Sequence, residues 1–442
     1  MTALEALGAY VAEGDAEALP ADVHTLLRLH AADTVGAWVA GAGTAEGRLL
    51  RAYRDVLARE CSGAALEMSA GCAVTRLSEL DDIHIASMIT PGSIVVPAAL
   101  AIAAQTGAEA PSVNRAMLAG YDVMVRLGLA ADGPAILYRG IWPTYFCAAP
   151  GVAAVASRLL GLDAAQSAHA LALAVTLSAP GVGQQHAATM SRWLAAGHAA
   201  RTGWQAAQAA RSGFTSDLSL FENGYFRSLY DIAPNVAALT DRLGAHAMLR
   251  DVSFKPWSAA RQTMASTQAF REMLAAGMRA ADIAAVEVSV PPSFLRMVDH
   301  GIGDRMSRLT SVPFQIAIAA LDPAAAYSVG QHEAVPPAVS DFMTKVKVSA
   351  DETLLAGFPK VWRSRVRVQA GGAWHEREID RVPGDPGRPF DEAAVRDKFR
   401  RTSGAAIGAD ACDRLIDAVL ATIDGKASAA QLLERIGAAL PR

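Results

Sequence analysis

The stretch 78–107, SELDDIHIASMITPGSIVVPAALAIAAQTG, decides how the rest of the chain is read. It places Glu79, Asp81, Asp82 and His84 directly before a long run of small and branched apolar residues. Thr90-Pro91-Gly92-Ser93 has the composition of a helix start, with a hydroxyl able to cap free amides and a proline tolerated in the first turn. Pro97 then means either that the helix begins later or that it kinks there. A helix N-terminus offers unpaired N–H groups and a positive dipole end, which suits a carboxylate or phosphate. The acids therefore have two readings. They satisfy nearby amides and arginines at a buried helix start, or they form the wall of an active site.

Outward from this stretch, residues 1 to about 250 read as one helix after another. PADVHTLLRLHAADTVGAWVAG (20–41), APSVNRAMLAGYDVMVRLGLA (110–130) and ARTGWQAAQAARSGF (200–214) carry apolar residues at helical spacing and stop at glycine or proline. Small residues on nearly every face suit close helix-on-helix packing. Near residue 251 the pattern changes. IAAVEVSVPPSF (283–294), TKVKVSAD (344–351) and SRVRVQAGGAWHEREI (364–379) alternate as strands do, the last as a hairpin turned at Gly371-Gly372. RVPGDPGRPFD (381–391) reads as a linker, and helical patterns return after it. The expected fold is mostly α: a helical domain over 1–251, an α+β domain over 252–398, and C-terminal helices over 399–442 returning to the first domain.

Bulk properties narrow the function. At 442 residues the chain exceeds one small core. Hydrophobic residues at 52% against 19% charged imply large buried surfaces. A net charge of -4, with basic residues scattered among acids, argues against nucleic acid as a partner. The longest apolar run is about half of the roughly 20 residues that a spanning helix needs. Cys61, Cys72, Cys147 and Cys412 show no zinc or redox spacing and read as free thiols, and the N-terminus lacks the pattern of a signal peptide. A cytoplasmic protein with no membrane partner is expected. GAGTAEG (41–47) does not follow a strand, and there is no P-loop and no G-x-S-x-G.

Three further stretches carry chemistry. In YRGIWPTYFCAAPG (138–151), Arg139, Trp142, Thr144 and Tyr145 crowd a loop, where pocket lining and core packing are both open. In GQQHAATMSRWLAAGHAARTG (183–203), Gln184, Gln185, His186 and Arg192 precede a helix carrying His198, and the two histidines lack metal-pair spacing. In SFKPWSAARQTMAS (253–266), Lys255 and Arg261 bracket the proposed domain junction. Two cations there would hold a carboxylate, against the plainer reading of a snorkelling lysine and an ordinary helical arginine.

Taken in order, DDIH…TPGSIVVPAALA, YRGIWPTYFCAAPGVAAVASRLLGL, MSRWLAAGHAARTGWQAAQAARSGF, LFENGYF, SFKPW and RLTSVPFQIAIAAL resemble the MmgE/PrpD family. That family includes 2-methylcitrate dehydratase, cis-aconitate decarboxylase and iminodisuccinate epimerase. The resemblance implies a large all-helical domain with a smaller α+β lid, a homodimer, and cofactor-free, metal-free proton transfer beside a carboxylate of a small organic acid. It carries over the acidic pair as Asp81 and Asp82, and the lid lysine as Lys255. Elsewhere the chain departs from the pattern. Thr90 stands for the His of a His-Pro pair, Trp142 for a loop His, Arg192 for a Lys, Ala195 for a His and Ile316 for a Tyr. The His expected after Lys255 is absent, with Ala260 and Met264 nearby.

Trp142, Met264 and Ile316 would make the pocket drier, so a substrate other than 2-methylcitrate or cis-aconitate is expected. A pocket between helical domain and lid is expected. There Asp82 or His84 transfers the proton, Asp81 orients it, and Lys255 and Arg192 bind the carboxylate or enolate. Thr90, Trp142, Tyr145, Gln185 and Arg261 are the further substrate contacts. The alternative is a catalytically silent homologue that binds a metabolite or stabilises a partner.

Overall fold

The computed structural model describes residues 1–13, 19–178, 189–298, 302–330 and 335–440. The chain divides into two compact units. One gathers the described residues of 1–184, 189–252 and 391–442, and the other those of 253–390.

The first unit is built of helices. Ser191–Arg211 packs against Ala64–Leu77, Pro143–Leu159 and Ala164–Leu177. Missing side chains let these backbones approach. A Cβ at Gly203 would sit 2.2 Å from the Ala149 carbonyl oxygen, and one at Gly197 would sit 2.3 Å from that of Ser69. The helix after the acidic stretch runs Gly92–Thr106 straight through Pro97, so it begins before the proline. Glu392–Ile407 and Ala409–Ile423 pack on Ala21–Ala42, and Ala429–Ala439 packs on Gly92–Thr106. The boundary expected at residue 398 falls inside Glu392–Ile407, and that whole helix belongs to the first unit.

The second unit holds a four-stranded mixed sheet. Its strands are β1 (Ile283–Val290), β2 (Val346–Ala350), β3 (Ser364–Ala370) and β4 (Ala373–Ile379), in the order β2-β1-β3-β4. β1 runs parallel to β2 and antiparallel to β3, and β3 and β4 form the hairpin. Gly371 and Gly372, at φ 59° and 84°, supply the left-handed turn that such a two-residue loop requires. Inward residues alternate along the strands: Val286, Val288 and Val290 of β1 are buried, as are Val366 and Val368 of β3. Helix Arg261–Ala275 covers β3 and β4. Met264 and Ile316, expected to line a pocket, are fully buried within this unit.

Among the described residues no helix is long and apolar enough to cross a membrane. The four cysteines form no disulfide.

Candidate active site

The acidic stretch splits into two clusters on opposite sides of one loop. Helix Ala64–Leu77 ends at Ser78, and Glu79 takes a left-handed φ of 54°, a conformation costly for a residue with a Cβ. That turn puts Glu79 and Asp81 on the same guanidinium: Arg76 Nη1 lies 3.0 Å from Glu79 Oε1 and 3.1 Å from Asp81 Oδ1. All three residues are buried. The two carboxylates raise the Arg76 pKa against the desolvation that lowers it.

Asp82 faces the other way. Its Oδ2 is 2.8 Å from His30 Nδ1 and accepts from the Tyr121 hydroxyl at 2.8 Å, while Oδ1 accepts from the Gly92 amide at 2.8 Å. The carboxylate is fully buried. It therefore satisfies the helix start, and glycine is required there because a Cβ on Gly92 would lie 2.8 Å from both of its oxygens. Asp82 thus has three partners at the helix start. One expectation is corrected: Thr90 does not cap the helix. Thr90 instead receives Thr144, whose Oγ1 accepts from the Thr90 amide at 2.9 Å and sits 3.0 Å from the Thr90 hydroxyl. Asp81 pairs with Arg76.

His84 is buried, with Nδ1 2.8 Å from the Ser87 hydroxyl oxygen and 3.3 Å from the Ser87 amide nitrogen.

Around Arg76 the second aromatic loop closes in. Trp142 precedes helix Pro143–Leu159, and the Arg192 guanidinium lies 4.6 Å from the Trp142 ring centre and 5.5 Å from that of Trp193. Tyr145 stands 5.9 Å from Trp142, ring to ring. It is 1% exposed, and its hydroxyl has no hydrogen-bond partner among the described residues. Burial pushes the phenol up to about 12, Arg76 and Arg192 pull it down, and Glu79 and Asp81 push it up. Four of the expected residues, Asp81, Trp142, Tyr145 and Arg192, are thereby brought together, with Arg76 as the member that sequence reading missed. Arg76 closes an otherwise ordinary apolar helix, and nothing in the local pattern singles it out.

The opposite face of helix Ser191–Arg211 lines a separate surface cavity of about 470 Å³ with Leu50, Tyr53, Leu194, Ala195, His198 and Arg201. It contains none of the expected site residues. Gln185, with Gln184 and His186, lies outside the described residues.

In the second unit Lys255 is 1% exposed. The segment read as a linker is a folded brace beside it. The Phe254 amide donates to the Gly384 carbonyl at 2.9 Å, Gly384 has φ 97°, and the Phe254 ring stacks on Phe390 at 5.5 Å. Arg261 Nη2 donates to both Asp385 oxygens, at 2.9 and 2.8 Å, and its guanidinium lies 5.7 Å from the Trp362 ring centre. Asp385 also accepts from the Val382 amide at 2.8 Å. Arg261 is thus charge-balanced by Asp385 through Nη2, while its buried Nε and Nη1 have no hydrogen-bond partner among the described residues.

Comparison with known proteins gives the family. The MmgE/PrpD N-terminal domain matches residues 5–235 and the MmgE/PrpD C-terminal domain matches residues 257–422. This chain belongs to the MmgE/PrpD family. A curated relative, the cis-aconitate decarboxylase-like protein oryM of Aspergillus oryzae, is 30% identical over 154 residues. That alignment covers 33% of this chain and 32% of the relative, so the chain matches about a third of that protein's length.

Proposed function

We propose that this MmgE/PrpD chain is a lyase or isomerase that works without a cofactor and forms an enolate beside the carboxylate of a small organic acid. The substrate carries less charge than 2-methylcitrate or cis-aconitate. One observation carries the reading: the charged groups acting on Tyr145 are two guanidiniums, Arg76 and Arg192, and two carboxylates, Glu79 and Asp81. A buried cluster that is already near neutral has little excess positive charge with which to hold three carboxylates. Stacking on Trp142 instead offers an apolar face beside one cation.

In the proposed sequence, His84 acts in the tautomer whose Nδ1 donates to the Ser87 hydroxyl: its Nε2 takes the proton from the carbon next to the carboxylate, and the C–H electron pair stays on the substrate as an enolate. Arg192 stabilises that charge and the Tyr145 hydroxyl donates to it. The imidazolium so formed gives the proton back to carbon in an isomerisation, or to a departing β-hydroxyl, which leaves as water, in a dehydration. Lys255 is retained as a residue that turnover requires. The active species is proposed to be a homodimer. Its support is a row of exposed apolar side chains, Leu49, Tyr53 and Val56, along helix Ala45–Leu57. A monomer mass in sedimentation at working concentration would remove that part.

The test is incubation in D₂O with a panel of mono-, di- and tricarboxylic acids, followed by NMR. Deuterium in the product or the recovered acid is expected for mono- or dicarboxylates. Incorporation with tricarboxylates alone contradicts the substrate class. Saturable binding without incorporation for any acid replaces the enzyme with the silent metabolite-binding homologue, which the lost His, Lys and Tyr positions favour.

A further inference from the structure

The acidic loop rests on a buried network that the proposed reaction does not use. Asp33 Oδ1 lies 2.6 Å from the ammonium of Lys398, and the same ammonium donates to the Leu80 carbonyl at 2.9 Å. Asp33 and Lys398 are 3% and 5% exposed. Asp33 feels Asp82 and His30 as well as Lys398, so the Lys398–Asp33 pair and the His30–Asp82–Tyr121 anchor form one charged layer under the loop. A lysine so deeply buried is stable only if fully compensated, and one of its two acceptors is a main-chain carbonyl.

That carbonyl belongs to the residue between Glu79 and Asp81, the two acids on Arg76. Leu80 cannot shift without moving both. The loop is otherwise held at Asp82 by three donors, at His84 by its bridge to Ile89, and at Thr90 by Thr144. The 79–81 turn, with its left-handed Glu79, is tied through Lys398 to the C-terminal helix Glu392–Ile407.

We propose that Lys398 is a positioning residue: it fixes the Leu80 carbonyl and, through it, the seat of Glu79 and Asp81 on Arg76, so that a C-terminal helix sets the charge balance of the candidate site. The catalytic half of this inference rests on the proposed function. The structural half does not.

The experiment is Lys398→Met in the full chain, followed by amide hydrogen exchange on peptides covering 78–91 and 110–130 and by kcat and KM. Exchange in 78–91 is expected to rise about tenfold or more while 110–130 changes by less than about twofold. kcat is expected to fall about tenfold with KM within about threefold, the mark of altered geometry rather than lost binding. Unchanged exchange in 78–91 overturns the inference. So does an equal rise in both peptides, which would make Lys398 a support of the whole unit, and so does a selective rise with kcat unchanged. A selective rise with no turnover in either wild type or variant leaves the tether standing and refutes the proposed function instead. Should Lys398→Met not fold, Lys398→Arg is read on the same two peptides, where a selective rise supports the tether and an absent or uniform rise overturns it.

Discussion

Asp82 and Tyr145 are both buried in the same unit, and both face a loop that begins at Ser78, yet their surroundings differ in kind. Asp82 holds three donors, and its neighbours Asp33 and Lys398 hold each other. Tyr145 sits among two arginines, two acids and a tryptophan ring, with a hydroxyl that has no partner among the described residues. A carboxylate that already has three partners, as Asp82 has, can only lose by change. An unsatisfied polar group has capacity left for a ligand, because a buried hydroxyl without a partner costs about 1–3 kcal/mol until something binds it. The family's chemistry is accordingly sought on the Tyr145 side and the fold's anchor on the Asp82 side.

The largest expected effect breaks the anchor. Asp82→Ala strands His30, the Tyr121 hydroxyl and the Gly92 amide, and unfolding in denaturant should show a loss of about 3–5 kcal/mol. A loss under about 1 kcal/mol would mean that the two clusters do not differ as described.

Next is a pH effect elsewhere in the same unit. Asp122 accepts from Tyr10 and from the Met248 amide, both at 2.7 Å, and burial pushes its carboxyl up to about 6. A raised acid favours the protonated folded state. Its stabilising contribution is therefore complete below about pH 4 and is lost as pH rises through about 6. Between pH 4 and pH 7 this group alone should cost about 2–3 kcal/mol, and Asp122→Asn should flatten that part of the stability profile.

Third, Arg192→Ala should lower kcat/KM about a hundredfold. The Trp142 and Trp193 rings on which Arg192 stacks remain in the variant, so the fold should be retained.

The smallest effect sharpens the comparison most. Tyr145→Phe removes a hydroxyl with no partner among the described residues, so stability should rise by about 1 kcal/mol while deuterium incorporation falls about tenfold. A large loss of stability would place Tyr145 with the anchor.

Much of the fold was legible in local pattern. The Gly371-Gly372 hairpin, the alternating valines of β1 and β3 and the small-residue helices each follow from neighbours in sequence. The site was legible only in part. Trp142, Tyr145 and Arg192 stood out as aromatic and cationic residues in loops, and the resemblance joined them. What escaped were partners set by tertiary contact. His30 meets Asp82 across 52 residues and Lys398 meets Leu80 across 318, and no spacing rule reaches that far. The 381–391 segment read as a linker because glycine and proline serve both loose joints and tight loops. Only the Phe254 amide on the Gly384 carbonyl and the Asp385 carboxylate on Arg261 show which it is. The partners of Asp82 escaped sequence reading for a related reason, since an acid before a helix has the same sequence whether it faces solvent, substrate or the helix's own amide.

The measurement that bears most directly on this account is the initial rate of deuterium incorporation from D₂O at the carbon beside the substrate carboxylate, in wild type and in Arg192→Ala. The account requires incorporation by the wild type, a drop of about a hundredfold in the variant, and an unchanged fold in both. Equal rates in the two proteins, or no incorporation by the wild type with any acid tested, would contradict it.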